Sequence, residues 1–156
     1  MNNLQNNQSP TLKGELCGKE TPNIVCAENR SRFCLQKGII LFEKIKIDSK
    51  KETTEKRCDY LLKTKKQTKN VEIFVELKGG HHEEGIQQLI NSFESYASKN
   101  DTTHYAVLVA SRGISKTKSP SLKQMILQVF KTTLITGTKN LTVEYNPKTQ
   151  KLKKIN

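Results

Sequence analysis

Residues 57–93 read RCDYLLKTKKQTKNVEIFVELKGGHHEEGIQQLINSF, and a change of hydrophobic period inside this stretch decides the fold. Val71–Lys78 (VEIFVELK) is the strongest strand signal in the chain, rich in β-branched and aromatic residues and ended by Gly79-Gly80. Alternation along a strand puts Glu72, Phe74, Glu76 and Lys78 on one side and Ile73, Val75 and Leu77 on the other. The second set reads as core. From residue 83 to 98 the period becomes helical, because Ile86, Leu89, Ile90, Phe93 and Ala97 recur on one stripe. Upstream, Arg57–Lys63 (RCDYLLK) reads as a shorter strand, joined to the first by the basic loop Thr64–Asn70.

On the C-terminal side, His104–Ala110 (HYAVLVA) is a nearly continuous apolar run, as expected of a strand covered on both faces. A second helix follows Pro120, with Leu122, Met125, Ile126, Val129, Phe130 and Thr133 on one face and the proline where a helix start tolerates it. Leu141–Tyr145 and Leu152–Ile155 read as short strands joined across Asn146-Pro147, at a sheet edge. On the N-terminal side, Gly14, Gly18 and Pro22 interrupt any long helix, and a short helix is expected around Ile24–Asn29. Arg32–Leu35 and Ile39–Ile47 are rich in β-formers on either side of Lys37-Gly38, which suggests a hairpin. Residues 49–56 (SKKETTEK) make a polar turn. The expectation is an α/β chain: a single-domain mixed sheet flanked by helices over residues 11–156, after a flexible N-terminus at 1–10.

A chain of 156 residues is long enough for one domain with a real core and too short for two. Its 27 Lys+Arg against 15 Asp+Glu give a formal net charge of +12. That excess favours polyanions such as phosphate backbones or anionic surfaces. Most of the charge is lysine, suited to non-specific phosphate contact more than to base reading; the bland alternative is a solvated, lysine-rich surface. No run reaches the ~18 apolar residues that a membrane helix needs. Met1–Pro10 lacks the basic start and apolar run of a signal peptide, so a cytoplasmic location with no membrane partner is expected. Cys17, Cys26, Cys34 and Cys58 then read as reduced thiols. Their separations of 9, 8 and 24 contain no C-x-x-C pair. Buried small hydrophobes are a better reading than a zinc site completed by His81 or His82.

The chemistry lies in the first stretch. Asp59 sits between Cys58 and Tyr60 in an apolar strand, where an unpaired acid is costly to bury. If the two strands are neighbours, Asp59 and Glu76 converge. Two carboxylates that close repel, and a bound Mg²⁺ or Mn²⁺ relieves the repulsion while leaving positions for water and phosphate. Lys78, on the same face as Glu76, is then positioned to orient water or stabilise charge on phosphate. The plainer alternative is a Glu76–Lys78 ion pair on a solvated strand with Asp59 in a turn.

These residues, RCDYLLK…IFVELKGG…QQLINSF, resemble the PD-(D/E)xK nuclease superfamily, which includes type II restriction endonucleases and Holliday-junction resolvases. The resemblance covers about half the chain and implies an αβββαβ core with a C-terminal helix and short edge strands added here. It implies that Asp59 and Glu76 are metal-binding acids, that the Leu77 carbonyl is a further ligand, and that Lys78 is the catalytic lysine. Many members place a glutamine on the following helix at the active site; Gln88 is the better match and Gln87 the rival. The residue before Asp59 is Cys58 where many members have proline. An additional acid from the first helix would be Glu28, with Glu43, on the strand preceding that of Asp59, a weaker candidate and more in keeping with a surface residue. The implied activity is metal-dependent hydrolysis of phosphodiester bonds in DNA, with Mg²⁺ or Mn²⁺ as cofactor and a homodimer where both strands are cut. The alternative is a catalytically inactive nucleic-acid-binding or assembly subunit on the same fold.

Three further features carry less. His81-His82 precede Glu83-Glu84, a composition typical of a solvated helix start. Arg112 and Lys116 are candidate phosphate contacts. With few aromatics and no Trp, backbone-directed contact with a duplex fits better than base stacking.

Overall fold

The computed structural model describes residues 12, 14–28, 30–47 and 55–156. The expectations for residues 1–10 and for most of the 49–56 turn lie outside them. The described chain is a mixed α/β fold. Its strands are β1 (Glu15–Cys17), β2 (Asn23–Glu28), β3 (Ser31–Gln36), β4 (Phe42–Lys46), β5 (Tyr60–Thr64), β6 (Asn70–Lys78), β7 (Thr102–Ala110), β8 (Ile135–Thr138), β9 (Asn140–Asn146) and β10 (Lys151–Lys154). Two helices interrupt them, α1 (His82–Tyr96) between β6 and β7 and α2 (Ser119–Phe130) between β7 and β8. No helix among the described residues is long and apolar enough to cross a membrane.

Hydrogen bonds link the strands in the order β1-β4-β5-β6-β7-β8-β9-β3-β2, with β10 added to β9. Between β8 and β9 the ladder narrows to the pair Thr138 and Asn140. There the strand path folds over into two sheets. Ile24, Phe33, Leu35, Leu141 and Val143 of the smaller sheet pack on Leu62, Ile73, Val75, Leu77, Val107 and Val109 of the larger. The opposite face of the larger sheet is sealed by both helices, through Ile86, Leu89, Ile126 and Phe130 on Phe74, Ala106 and Leu108. β6 and β7 are therefore covered on both faces, which explains their near-continuous apolar runs.

The alternation read along VEIFVELK is present: Ile73, Val75 and Leu77 enter the inter-sheet core while Phe74 enters the helix-side core. β4, β5 and β6 are antiparallel neighbours, and β6 pairs in parallel with β7 across α1. Pro120 lies in the first turn of α2, and Asn146 ends β9 with Pro147 opening the turn to β10.

Four expectations are corrected. The segment Ile24–Asn29, read as a short helix, is strand β2 through Glu28; Ile24 and Cys26 are buried at a period of two and pair with β3. The expected hairpin of Arg32–Leu35 with Ile39–Ile47 does not form. β3 pairs with β2 and β9, whereas β4 pairs with β1 and β5. Gly38, at φ 61°, carries the chain from one sheet to the other, because Phe33 and Phe42 both belong between the sheets. The buried Lys37 pins this crossover by donating to the carbonyls of Gly18 (3.0 Å), Gly38 (3.3 Å) and Ile40 (2.9 Å). Third, RCDYLLK is strand only from Tyr60, with Asp59 immediately before it. Fourth, β10 lies at an edge but β9 is interior, bonded to β3, β8 and β10.

Phe74 locks both helices to the sheet, its ring 5.6 Å from Phe130 and 6.1 Å from Phe93. Phe74→Ala should cost about 3–5 kcal/mol in urea denaturation, whereas Met125→Ala should cost less than about 1 kcal/mol because Met125 lies on the solvated side of α2.

Candidate functional site

Tyr60 pairs with Val75 in the β5–β6 ladder, so continuing the register puts Asp59 opposite Glu76. The approach is secured at several points. The Asp59 amide donates to the Val75 carbonyl at 3.1 Å, and its own carbonyl accepts from Ile47 at 2.9 Å. Its carboxylate Oδ2 accepts the Leu77 amide at 2.8 Å. Just before it, the Cys58 amide donates to Ser92 Oγ at 2.7 Å, which fixes the lead-in against α1.

On β6, Lys78 Nζ donates to Gln88 Oε1 at 2.9 Å and lies 3.6 Å from Glu84. Gln88 Nε2 donates in turn to the Arg57 carbonyl at 3.1 Å. Gln88 thus ties the lysine of β6 to the segment carrying Asp59. Gln87 bonds Asn91 on the exposed side of α1 and takes no part. The helix comes this close because residue 85 is glycine: a Cβ there would meet Leu108 Cδ1 at 3.0 Å, Glu76 Cγ at 3.5 Å and Lys78 Cγ at 3.7 Å. Gly85 and Ser92 belong to no motif that points to the site, although a glycine inside a helical period is itself a sign of close packing.

The site therefore brings together Asp59, Glu76, Leu77, Lys78 and Gln88. Glu28 joins them from the other sheet. It lies close enough to Asp59 to push that carboxyl up and ion-pairs with Lys46 at 3.1 Å; it arrives from a strand end, not from a helix. Glu43 does not join, being paired with Lys65 at 3.3 Å. His82 Nε2 lies 3.0 Å from the Arg112 carbonyl, and His82 lines with Glu83, Glu84 and Lys118 a polar cleft of about 310 Å³. A larger hollow of about 530 Å³, lined by Pro22, Ile39 and Tyr145 among others, lies at the opposite end of β3 and is remote from the acids.

Two buried glutamates on the same face of β6 behave in opposite ways. Burial favours protonation of Glu72, but the Ser98 amide (2.8 Å), the Ser98 hydroxyl (2.7 Å), His104 (3.1 Å) and Lys63 (3.4 Å) outweigh it and hold its carboxyl down to about 2. Glu76 is equally buried, yet its Oε2 has no hydrogen-bond partner. Burial and then the neighbouring Asp59 charge push its carboxyl up to about 9, against the pull of Lys78. Asp59 is raised as well, by burial first and by Glu28, with the Leu77 amide opposing.

Among the described residues, no group of three or more His, Cys, Asp or Glu side chains is arranged to hold a metal ion. What the site offers is a pair of carboxylates, with the Leu77 carbonyl next along β6. An unpartnered buried carboxylate oxygen beside a second raised acid suits a divalent cation, since hard oxygen ligands are what Mg²⁺ and Mn²⁺ take. The four cysteines are buried, unpaired thiols, consistent with their reading as small core residues. No protein-family model, curated protein or solved structure matches this chain.

The two glutamates give opposite signs in a stability test. Glu76, with its folded value raised, contributes stability at acid pH that is lost as pH rises through about 9. Glu72, with its folded value lowered, contributes stability above the ordinary carboxylate range that is lost only as pH falls through about 2. In EDTA at pH 8, Glu76→Gln should raise Tm by about 2–4 °C, the shift made by roughly 1 kcal/mol in a chain of this size, and Glu72→Gln should lower it. Thermal melts in which both substitutions move Tm the same way contradict this assignment.

Proposed function

We propose that the chain is a divalent-metal-dependent nuclease that hydrolyses phosphodiester bonds in DNA. The observation that carries this reading is Glu76: a buried acid opposite Asp59, with an oxygen left without a partner. The Glu72 cluster four residues earlier supports it by contrast, since the same strand face fully satisfies an acid that is only structural.

Asp59, Glu76 and the Leu77 carbonyl would hold Mg²⁺ or Mn²⁺. When bound, such an ion supplies charge stabilisation to a phosphate under attack and makes nearby water more acidic. Lys78 keeps its ammonium beside the acids because Gln88 holds it. From there it orients the attacking water and stabilises negative charge on the phosphate as the bond breaks. Gln88 positions the lysine through the Arg57 carbonyl. α1, packed through Gly85, keeps bulk water from one side of the pair.

The run β4–β5–β6–α1–β7, three antiparallel strands followed by a helix and a parallel strand, supports the resemblance to the PD-(D/E)xK superfamily. It departs from that pattern in having no helix before the strands among the described residues. The net charge of +12 is consistent with a polyanionic substrate. Cutting both strands of a duplex would use two copies of so small a domain.

Supercoiled plasmid incubated with Mn²⁺ or Mg²⁺ should be nicked, and EDTA should stop the reaction. Glu76→Ala, Asp59→Asn and Lys78→Ala should each reduce the rate by about 100-fold or more, Lys78→Ala without loss of Mn²⁺ binding. Salt-sensitive DNA binding with no metal-dependent cutting would sink the enzyme reading in favour of a non-catalytic binding subunit.

A further inference from the structure

Only four of the 27 basic residues are arginines: Arg30, Arg32, Arg57 and Arg112. All four gather at the end of the fold that holds Asp59 and Glu76. The Arg57 carbonyl anchors Gln88, and its guanidinium is taken up by Glu55 at 2.9 Å and by the Tyr96 ring at 5.9 Å. The other three are exposed, and among the described residues none makes an ion pair or a side-chain hydrogen bond.

Their backbones are tied to the site. Ser31, between Arg30 and Arg32, donates its hydroxyl to the Lys78 carbonyl at 3.4 Å. The Arg112 amide donates to the Gly79 carbonyl at 3.3 Å, and a Cβ on Gly80 would touch Arg112 Cδ at 3.7 Å. Arg30 therefore stands on the small-sheet side of Lys78–Gly80 and Arg112 on the β7 side. Arg32 follows on the outward face of β3, since Phe33 points into the inter-sheet core.

Arg30 also occupies a conformation that suits it poorly. It immediately precedes Ser31, which pairs with Glu28, and sits at φ 67°. Glycine and asparagine are the residues favoured there, and other side chains are strained. A strained, unpaired, exposed arginine contributes little to folding, and strain of this kind gathers at functional sites. Guanidinium, unlike ammonium, forms paired hydrogen bonds to phosphate oxygens. The lysines are spread more widely. Lys66 and Lys148, for example, lie in turns at the far end of the strands.

We infer that Arg30 and Arg112, extended by Arg32, form a phosphate clamp that grips the DNA backbone across the mouth of the Asp59–Glu76 site. This assignment rests on the nuclease reading and adds where the strand enters: over the β2–β3 turn and the β7–α2 loop.

Fluorescence anisotropy with a 5′-labelled duplex oligonucleotide in EDTA measures the grip without cutting. Arg30→Gly and Arg112→Gln should each weaken binding at least about fivefold at low salt and reduce the slope of log K against log salt by about 1. Lys66→Gly is the matched control. It removes one charge and relieves the same backbone conformation (φ 57°) at the far end, and should leave affinity within about twofold. Arg30→Gly should melt no lower than wild type, which separates its effect from misfolding. Wild-type protein that binds and nicks DNA while both arginine variants bind equally well overturns the clamp and leaves the nuclease reading standing. Arginine-dependent binding without metal-dependent nicking supports the clamp and removes the nuclease reading. No duplex binding by wild type overturns the clamp outright.

Discussion

The antiparallel pairing of β5 with β6 is the constraint on which the rest of the site depends. It brings an acid that precedes one strand against an acid near the end of the next, and does so with backbone hydrogen bonds that leave no freedom of register. A slip of one residue would send Glu76 and Lys78 into the inter-sheet core and Val75 and Leu77 under α1. Apolar packing on both faces of β6 forbids that slip. The acids are thus held together by the hydrophobic core, although their own charges repel. The cost is visible in their raised protonation equilibria.

That cost is not spread evenly along β6. Glu72 and Glu76 share a face and a degree of burial, but the chain supplies Glu72 with a serine amide, a serine hydroxyl, a histidine and a lysine, and supplies Glu76 with much less. The Glu72 arrangement sits where α1 ends, and fastens the Ser98 segment to β6. One acid serves the fold, while the other is left with capacity unspent.

What could be read from the sequence follows the length of each signal. β6, α1 and β7 are nine, fifteen and nine residues long, enough for a period to declare itself, and the set Asp59, Glu76, Lys78 and Gln88 lies on or beside these elements. β1 and β8, of three and four residues, show no period. The NIVCAE stretch of β2 is short enough to suit either helix or strand, and only its pairing with β3 decides. The Lys37-Gly38 turn looks like a hairpin from its residues, but whether flanking strands pair is settled by where Phe33 and Phe42 are buried. Glu28 illustrates the general limit: its approach to Asp59 crosses from one sheet to the other, and no local pattern encodes such a contact. The same holds for Arg30, whose position depends on the partner strand of β3.

That partner strand has a consequence in time. Phe33 of β3 pairs with Leu141 of β9, roughly 100 residues later in the chain, whereas β5 and β6 meet across a short turn. Loop-closure entropy favours the near pairing over the far one. During synthesis the carboxylate hairpin is therefore complete long before β9 emerges to dock β3, and with β3 the turn that carries Glu28 and Arg30. The acids come together on an open half-molecule, and the wall that encloses them arrives last.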